Sequence, residues 1–235
     1  MRALVSSLGS SLVFLLSALP LLAESVPGAR SEWAVPSRAL PADHPSRLPD
    51  DGFVPFHEKD GVGIRIRALP DGRTVVRSVA EIPAPPASVA RFMADVGGWS
   101  AWVKRLRASE RLAGDPPAYR IFFDAPWPFS DRDYAIVPAL DRDAEGHDVL
   151  WWASAADRLP ARVAGVVRVT DVEGGVVFLP GTLAGTTRVV YSDVAVLGGR
   201  LPGWAVRESY RRGPVGILGA LRRHFSDAGP ARASP

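Results

Sequence analysis

The chain has 235 residues and an apolar fraction of 47%, an ordinary globular value that excludes wholesale disorder. It contains no cysteine, which excludes disulfides, thiolate metal sites and a cysteine nucleophile. The formal charge of +3 is small for this length, and no run of five like charges occurs. Nucleic acid is therefore not an expected partner.

The N-terminal segment, residues 1–23, has the features of a secretory signal peptide. Arg2 precedes an apolar run, and Ala23 suits a cleavage site. Because the apolar run is short and is interrupted by serines and Pro20, a cleaved signal is favoured over an uncleaved membrane anchor. The expected location of the mature protein is periplasmic or secreted.

The next segment, residues 24–52, is rich in proline and poor in apolar side chains. This composition predicts a stiff leader that is poorly packed against the domain. The alternative is a docking segment for a partner around Trp33. A domain is predicted over residues 53–226, followed by a disordered tail over 227–235.

A β-hairpin begins the predicted domain. Val62, Ile64 and Ile66 alternate with other residues, the period of a half-buried strand, and the turn at 70–72 leads to a second strand over about 73–82. A helix is predicted from the prolines at 85–86 to the glycines at 97–98. Further strands are predicted over about 103–112, 118–124, 132–140, 148–154, 162–171, 175–180 and 186–196.

The last predicted element is a long amphipathic helix over residues 201–225. Its apolar side chains follow one stripe, and its arginines lie largely off that stripe. Gly213 and Pro214 predict a kink, because proline removes one hydrogen bond of the helix. The order of elements predicts an α+β domain in which this helix covers one face of a curved antiparallel sheet.

Three motifs occur in order along the predicted domain. The first is KDGVGIRI at 59–66, with the helix start at 83–85 and the pair Trp99 and Trp102; the second is APWPFSDRDY at 125–134; the third is GGRLPGW at 198–204. Together they resemble the START (StAR-related lipid-transfer) domain of the SRPBCC superfamily, in its exported bacterial form. The resemblance covers about residues 53–226.

The resemblance implies a helix-grip fold, in which a curved antiparallel sheet wraps around the C-terminal helix and leaves an apolar tunnel. It implies binding and transfer of a lipid or other hydrophobic small molecule, without catalysis and without a cofactor. The strand at 174–180 departs from the family, because it lacks a tryptophan often found there. Ala205 and Glu208 also replace larger apolar and amide residues. Polyketide cyclases and aromatases share this fold, so a cyclase and a non-catalytic ligand sensor are the alternative functions.

Signs of catalytic chemistry are few. The four histidines are scattered, so a histidine-rich metal site is not expected. Asp131 and Asp133 could form an acid–base pair, but an ion pair or loop cap is the commoner role of such charges. A sharper hypothesis is that Arg132 or Asp133 points inward and anchors a ligand head group. The alternative is a fold-stabilising pair at the start of the strand.

The residues expected to contact a ligand are mostly aromatic or aliphatic, as the lining of an apolar pocket requires. They are Phe123, Trp127, Arg132, Tyr134, Ile136, Trp152, Trp204, Tyr210 and Ile217. Period 2 places Trp151 and Trp152 on opposite faces of their strand. The glycines at 198–199 and the Gly213-Pro214 pair are expected hinges for a helical lid. The outward arginines of that helix suit transient contact with a membrane surface, and the protein is expected to be a monomer.

Overall fold

The fold is built around one ten-stranded sheet, which the computed structural model describes within residues 35–227. The predicted signal peptide, Trp33 and residues 228–235 lie outside the described residues. The strand order is β1-β2-β3-β10-β9-β7-β6-β5-β4 with antiparallel neighbours, and β8 pairs with β6 in parallel. The strands are β1 (Val54–Lys59), β2 (Val62–Ala68), β3 (Thr74–Ile82), β4 (Leu106–Leu112), β5 (Ala118–Phe123), β6 (Arg132–Arg142), β7 (Asp148–Ser154), β8 (Val167–Arg168), β9 (Val172–Pro180) and β10 (Thr187–Ala195).

Two α-helices pack on one face of this sheet, which is called the inner face below. Helix α1 (Pro86–Ala94) contacts β7, β9 and β10, and helix α2 (Gly203–Asp227) contacts β2 and β3. Helix α2 continues through Pro214 without a break. No helix among residues 35–227 is long and apolar enough to span a bilayer. Short 3₁₀ turns lie at Pro45–Arg47, Val96–Ala101 and Ala156–Arg158.

Side chains alternate between the two faces along each strand, and both faces of the central strands are buried. On β7, Trp152 belongs to the core beneath the helices, together with Ile136 and Leu218. Its neighbour Trp151 lies on the opposite, outer face with Leu40. The placement of the two tryptophans therefore follows the period of 2 expected from the sequence.

The described part of the predicted leader, residues 35–52, packs against the outer face. Leu40 is buried on Trp151, whose indole Nε1 donates to the carbonyl oxygen of Arg38 at 3.0 Å. The buried guanidinium of Arg77 donates to the carbonyl oxygens of Pro45 at 3.1 Å and Leu48 at 2.8 Å. The prediction of a poorly packed leader is wrong for this part, because the outer face needs apolar cover and Arg77 needs acceptors.

Two other segments also differ from the sequence prediction. Strand β1 was not predicted, and its exposed position at the sheet edge explains its weak apolar pattern. The strand expected over 162–171 is reduced to Val167–Arg168, because residues 161–165 are exposed and form a loop. The remaining predicted strands and both helices are present, with ends that differ by a few residues.

The contribution of the leader can be measured with Leu40→Ala. Since Leu40 is buried against Trp151 and Val149, the variant should lower the free energy of unfolding by about 2–5 kcal/mol. Urea denaturation followed by tryptophan fluorescence measures this loss. The matched control is Leu183→Ala, which truncates a leucine that is 71% exposed and should change stability little. Equal stability of the two variants would contradict the packed leader.

Candidate functional site

A cleft of about 400 Å³ opens beside the inner face, at the end of the sheet where α2 begins. Its walls are the β2–β3 turn, the segment that follows β10, and the first two turns of α2. The edge of the cleft carries Arg73, which binds Asp71 at 2.7 Å and Asp171 at 3.4 Å. The lining is otherwise mainly apolar or glycine: Gly72, Thr74, Ala195, Val196, Leu197, Gly198, Gly199, Leu201, Val206 and Tyr210. Such a cleft suits an apolar guest.

Helix α2 holds the sheet unevenly along its length. Its buried residues are Pro214, Leu218, Ala220 and Leu221, which all lie after Gly213; residues 203–213 are called its first half below, and the rest its second half. In the same half, Arg222 donates to the carbonyl oxygens of Glu81 and Gly61, both at 3.0 Å. The first half, which borders the cleft, has only exposed or half-buried side chains. The two halves of the helix therefore differ in how firmly they are attached.

A group of polar side chains lies on the inner face beside the cleft; it is called the polar cluster below and consists of Asp193, Tyr134, Tyr191 and Ser78. Asp193 and Ala195 share one face of β10, and Ala195 lines the cleft. Burial raises the pKa of Asp193 to about 7. Burial, followed by the charge of Asp193, also raises the pKa of Tyr134 and of Tyr191. The carboxyl of Asp193 is thus the group of this cluster that titrates near neutral pH.

The glycine at 174 provides the room for this carboxyl. Gly174 pairs with Asp193 across the β9–β10 ladder and with Trp152 across β7–β9. A Cβ atom at position 174 would lie 2.7 Å from Cζ2 of Trp152 and 2.8 Å from Oδ1 of Asp193. Both distances are shorter than van der Waals contact, so a larger residue at 174 would displace one of these side chains.

Six of the predicted aromatic and aliphatic ligand residues lie on or near the inner face. Tyr210 lines the cleft, and Tyr134 belongs to the polar cluster. Ile136 and Trp152 are buried in the core, where the Trp152 ring lies 5.7 Å from Trp99 and 5.9 Å from Tyr191. Ile217 is half-buried and packs on the same core. Phe123 is half-buried at the end of β5, on the same face as Ile121 and diagonal to Tyr134 of the polar cluster.

Two predicted ligand residues, Trp127 and Trp204, lie at the surface and not in the interior. Trp127 is 93% exposed in the loop between β5 and β6, where strand alternation does not apply. Trp204 is 65% exposed in the first turn of α2 and lies 5.8 Å from the Phe129 ring. These three side chains are called the aromatic rim below.

The charged residues at the start of β6 have structural partners. Asp133 points to the outer side and binds Arg120 at 3.0 Å and Arg168 at 2.9 Å. Burial opposes its ionisation, but the hydrogen bonds and charges of the two arginines outweigh burial and lower its pKa. The inward-pointing Asp133 of the sequence hypothesis is therefore not present; the carboxylate forms the fold-stabilising pair.

Arg132 lies at the other side of the strand, close to the cleft. Its guanidinium donates to the carbonyl oxygens of Leu197 and Ser130, and Leu197 lines the cleft. These bonds fix the segment after β10 to the start of β6. Arg132 thus supports a wall of the cleft, and most of the residue is buried.

Sequence reasoning missed Asp193 and Ser78. A usable signal was present, because Asp193 follows Val189 and Tyr191 at intervals of two. Since those two side chains belong to the core, the same parity places residue 193 on the inner face.

The described fold matches that of solved START-related lipid transfer domains. A STAR-related lipid transfer protein of Xanthomonas axonopodis is 25% identical, with a TM-score of 0.66 over 75% of this chain and 99% of that chain. Human StAR-related lipid transfer protein 5 is 17% identical, with a TM-score of 0.65 over 79% of this chain and 91% of that one. The Zhui aromatase/cyclase of a Streptomyces species is 17% identical, with a TM-score of 0.51 over 68% of this chain and 98% of that one.

By sequence, no protein-family model and no curated protein matches the chain. The structural matches show the START helix-grip fold, as the three motifs predicted: a curved antiparallel sheet with a C-terminal helix. The class of protein that this fold defines includes domains that bind lipids and other hydrophobic ligands. The Zhui neighbour has the name of an enzyme.

The position of Asp193 predicts an unusual dependence of stability on pH. Its pKa in the folded protein lies above the ordinary value of 3.8, so the unfolded chain ionises first as pH rises. This group should therefore lower the free energy of unfolding between about pH 4 and pH 7, by on the order of 4 kcal/mol, and add no further loss above that range. Asp193→Asn should lack this loss, as urea denaturation at several pH values would measure.

Comparison of Asp193→Asn with wild type separates the effect of Asp193 from that of His44, whose pKa is shifted in the opposite direction. Burial lowers the pKa of His44, so its contribution to stability is lost as pH falls through the range below 6.5. Both proteins contain His44, and the tyrosines of the polar cluster remain neutral in this range. Identical pH profiles for wild type and Asp193→Asn would contradict the burial of this carboxyl.

Proposed function

We propose that the protein binds a lipid or another hydrophobic molecule between the inner face and the first half of α2, and transfers it without catalysis. The observation that carries this proposal is the cleft of about 400 Å³, lined mainly by apolar side chains and glycines, beside the loosely held half of α2. The START fold supports it, and two proteins with this fold are named lipid transfer proteins. Each buried methylene of a ligand would contribute about 0.8 kcal/mol.

Opening of the site would take place at the first half of α2. This half can separate from the sheet while Leu218, Leu221 and Arg222 hold the second half in place. Two positions suited to a hinge border the moving part. Gly198 and Gly199 have φ angles of 65° and 66°, which favour glycine, and Pro214 lacks the amide of a regular helical bond. These are the hinge positions that the sequence predicted for a lid.

The aromatic rim is the proposed surface of contact with a membrane. Trp127 and Trp204 are exposed, and tryptophan is enriched at the level of lipid head groups. Arg200 and Arg207 flank Trp204 in the chain, and arginines at a membrane surface favour anionic head groups. Trp204 belongs to the half of α2 that borders the cleft, so contact with a membrane would act on the lid itself.

The cellular setting belongs to the same proposal. The apolar segment at 1–23 supports export to the periplasm or the exterior, where a carrier would act as a monomer between membranes. The proposal needs neither a cofactor nor a nucleic acid.

Mass spectrometry of the native, purified full chain tests ligand binding directly. We expect a lipid or another hydrophobic molecule bound at up to one per chain, released by organic extraction. Protein without its own ligand should take up a fluorescent lipid from vesicles. A purified protein that carries nothing and takes up no lipid would refute the proposal.

The role of the aromatic rim is tested with Trp127→Ala and Trp204→Ala combined. Because the rim would anchor the lid at the bilayer, transfer between anionic vesicles should slow several-fold, with unchanged affinity for a soluble lipid analogue. The control is Leu183→Ala, which removes another exposed apolar side chain outside the rim. Equal transfer rates for the rim variant and wild type would exclude this surface as the membrane contact.

A second candidate function is cyclisation of a polyketide. It is favoured by Asp193, whose pKa of about 7 suits a general acid or base, and by the fold shared with a protein named an aromatase/cyclase. Incubation of a poly-β-ketone with wild type and with Asp193→Asn decides between the two. Formation of an aromatic product by wild type alone would replace the carrier proposal.

A further inference from the structure

The polar cluster is placed together by strand register. Asp193 on β10 lies opposite Val76 of β3, and Ser78 lies opposite Tyr191. Ser78 and Asp193 are therefore diagonal neighbours on one face, roughly 7–8 Å apart along the ladder. Tyr134 reaches the same place from β6, since the charge of Asp193 acts on its hydroxyl and on that of Tyr191.

The polar groups of this cluster lack partners. Ser78 is completely buried, and its hydroxyl has no hydrogen bond within the described part of the chain. Across residues 35–227, no side chain or backbone group forms a hydrogen bond or ion pair with the Asp193 carboxyl, and none bonds the two tyrosine hydroxyls. Buried polar groups in proteins nearly always have partners, so the unpartnered hydroxyl of Ser78, close to the half-buried and unpartnered carboxyl of Asp193, marks a place for a polar ligand group.

The charge of the cluster selects the chemistry of that group. Asp193 is its one acidic member, and the nearest arginine on β3, Arg77, points to the outer face, where it binds Asp50 and Ser192. The walls around the carboxyl are aromatic: Tyr134, Tyr191 and Trp152. A carboxyl without a cation, enclosed by aromatic rings, is complementary to a cation that donates hydrogen bonds.

We propose that the polar cluster binds the protonated amine of a long-chain amphiphile, whose hydrocarbon chain extends along the cleft. The ammonium donates to Asp193 and to the hydroxyl of Ser78, and the tyrosine rings cover it. Asp193 is half-buried and not fully enclosed, which leaves its carboxyl accessible to this group. The inference rests on the proposed binding of hydrophobic molecules and specifies the head group.

Three probes with the same chain and different heads test the inference: dodecylamine, dodecanol and dodecanoate. Their affinities for the full chain are measured at about pH 8, where the amine is protonated. We expect dodecylamine to bind about tenfold more tightly than dodecanol, and dodecanoate to bind most weakly because its charge repels Asp193.

Variants assign this order of affinities to the cluster. Asp193→Asn should reduce the affinity for dodecylamine to about that for dodecanol, and should leave dodecanol binding nearly unchanged. Ser78→Ala should weaken dodecylamine binding several-fold without loss of stability, since the hydroxyl it removes has no partner in the protein. The control Glu81→Gln removes a carboxylate that faces the opposite side of β3 and binds Thr182 and Thr186. It should preserve the wild-type order.

The outcomes separate this inference from the proposed function. If the three probes bind wild type equally, or if Asp193→Asn keeps the preference for the amine, the inference is refuted and binding of hydrophobic molecules stands. If no probe binds although a lipid copurifies with the native protein, the inference is likewise refuted and the proposed function stands. If no probe binds and no lipid is found, both are refuted.

Discussion

The apolar inner face of the sheet is the constraint on which the rest of the structure depends. Strands β2, β3, β6, β7, β9 and β10 all place large apolar side chains on that face, and the two helices cover it without interrupting the ladders. Helix α1 covers the centre, and the second half of α2 covers β2 and β3 through Leu218 and Leu221. The first half of α2 leaves the cleft at its side, so cover and access are divided between two halves of one helix.

The outer face also carries large apolar side chains that need cover, but irregular chain covers them instead of helices. Trp151 and Val149 project outward from β7, so the strand is buried on both sides. Residues 35–52 supply the cover, although their prolines prevent regular secondary structure over most of the segment. Arg77 binds this segment to the sheet through its carbonyl oxygens. Irregular chain can therefore be part of the core when its backbone acceptors are satisfied.

The sequence predicted most of the fold, because alternation and the periodicity of α2 are local signals of burial. It failed where burial is decided by distant contacts. The proline-rich residues 35–52 have no periodic pattern, and their packing depends on strands about a hundred positions later in the chain. The exposed tryptophans show the same limit. Aromatic character alone indicated an interior position for Trp127, whereas its loop extends from the end of the sheet into solvent.

The polar cluster could not be recognised from the sequence, because a single aspartate between Ser192 and Val194 resembles an ordinary solvent-facing residue. The parity of Val189 and Tyr191 places it on the inner face, and the absence of a side chain at Gly174 gives it space. For stability alone, an apolar residue at 193 would be better, because a buried carboxyl without a partner opposes folding whenever it is ionised. Asp133 illustrates the contrast, since two arginines neutralise it and it adds to the rigidity of β6. Asp133 is buried and paired, whereas Asp193 is half-buried without a partner in the described part of the chain, an arrangement suited to contact with a ligand.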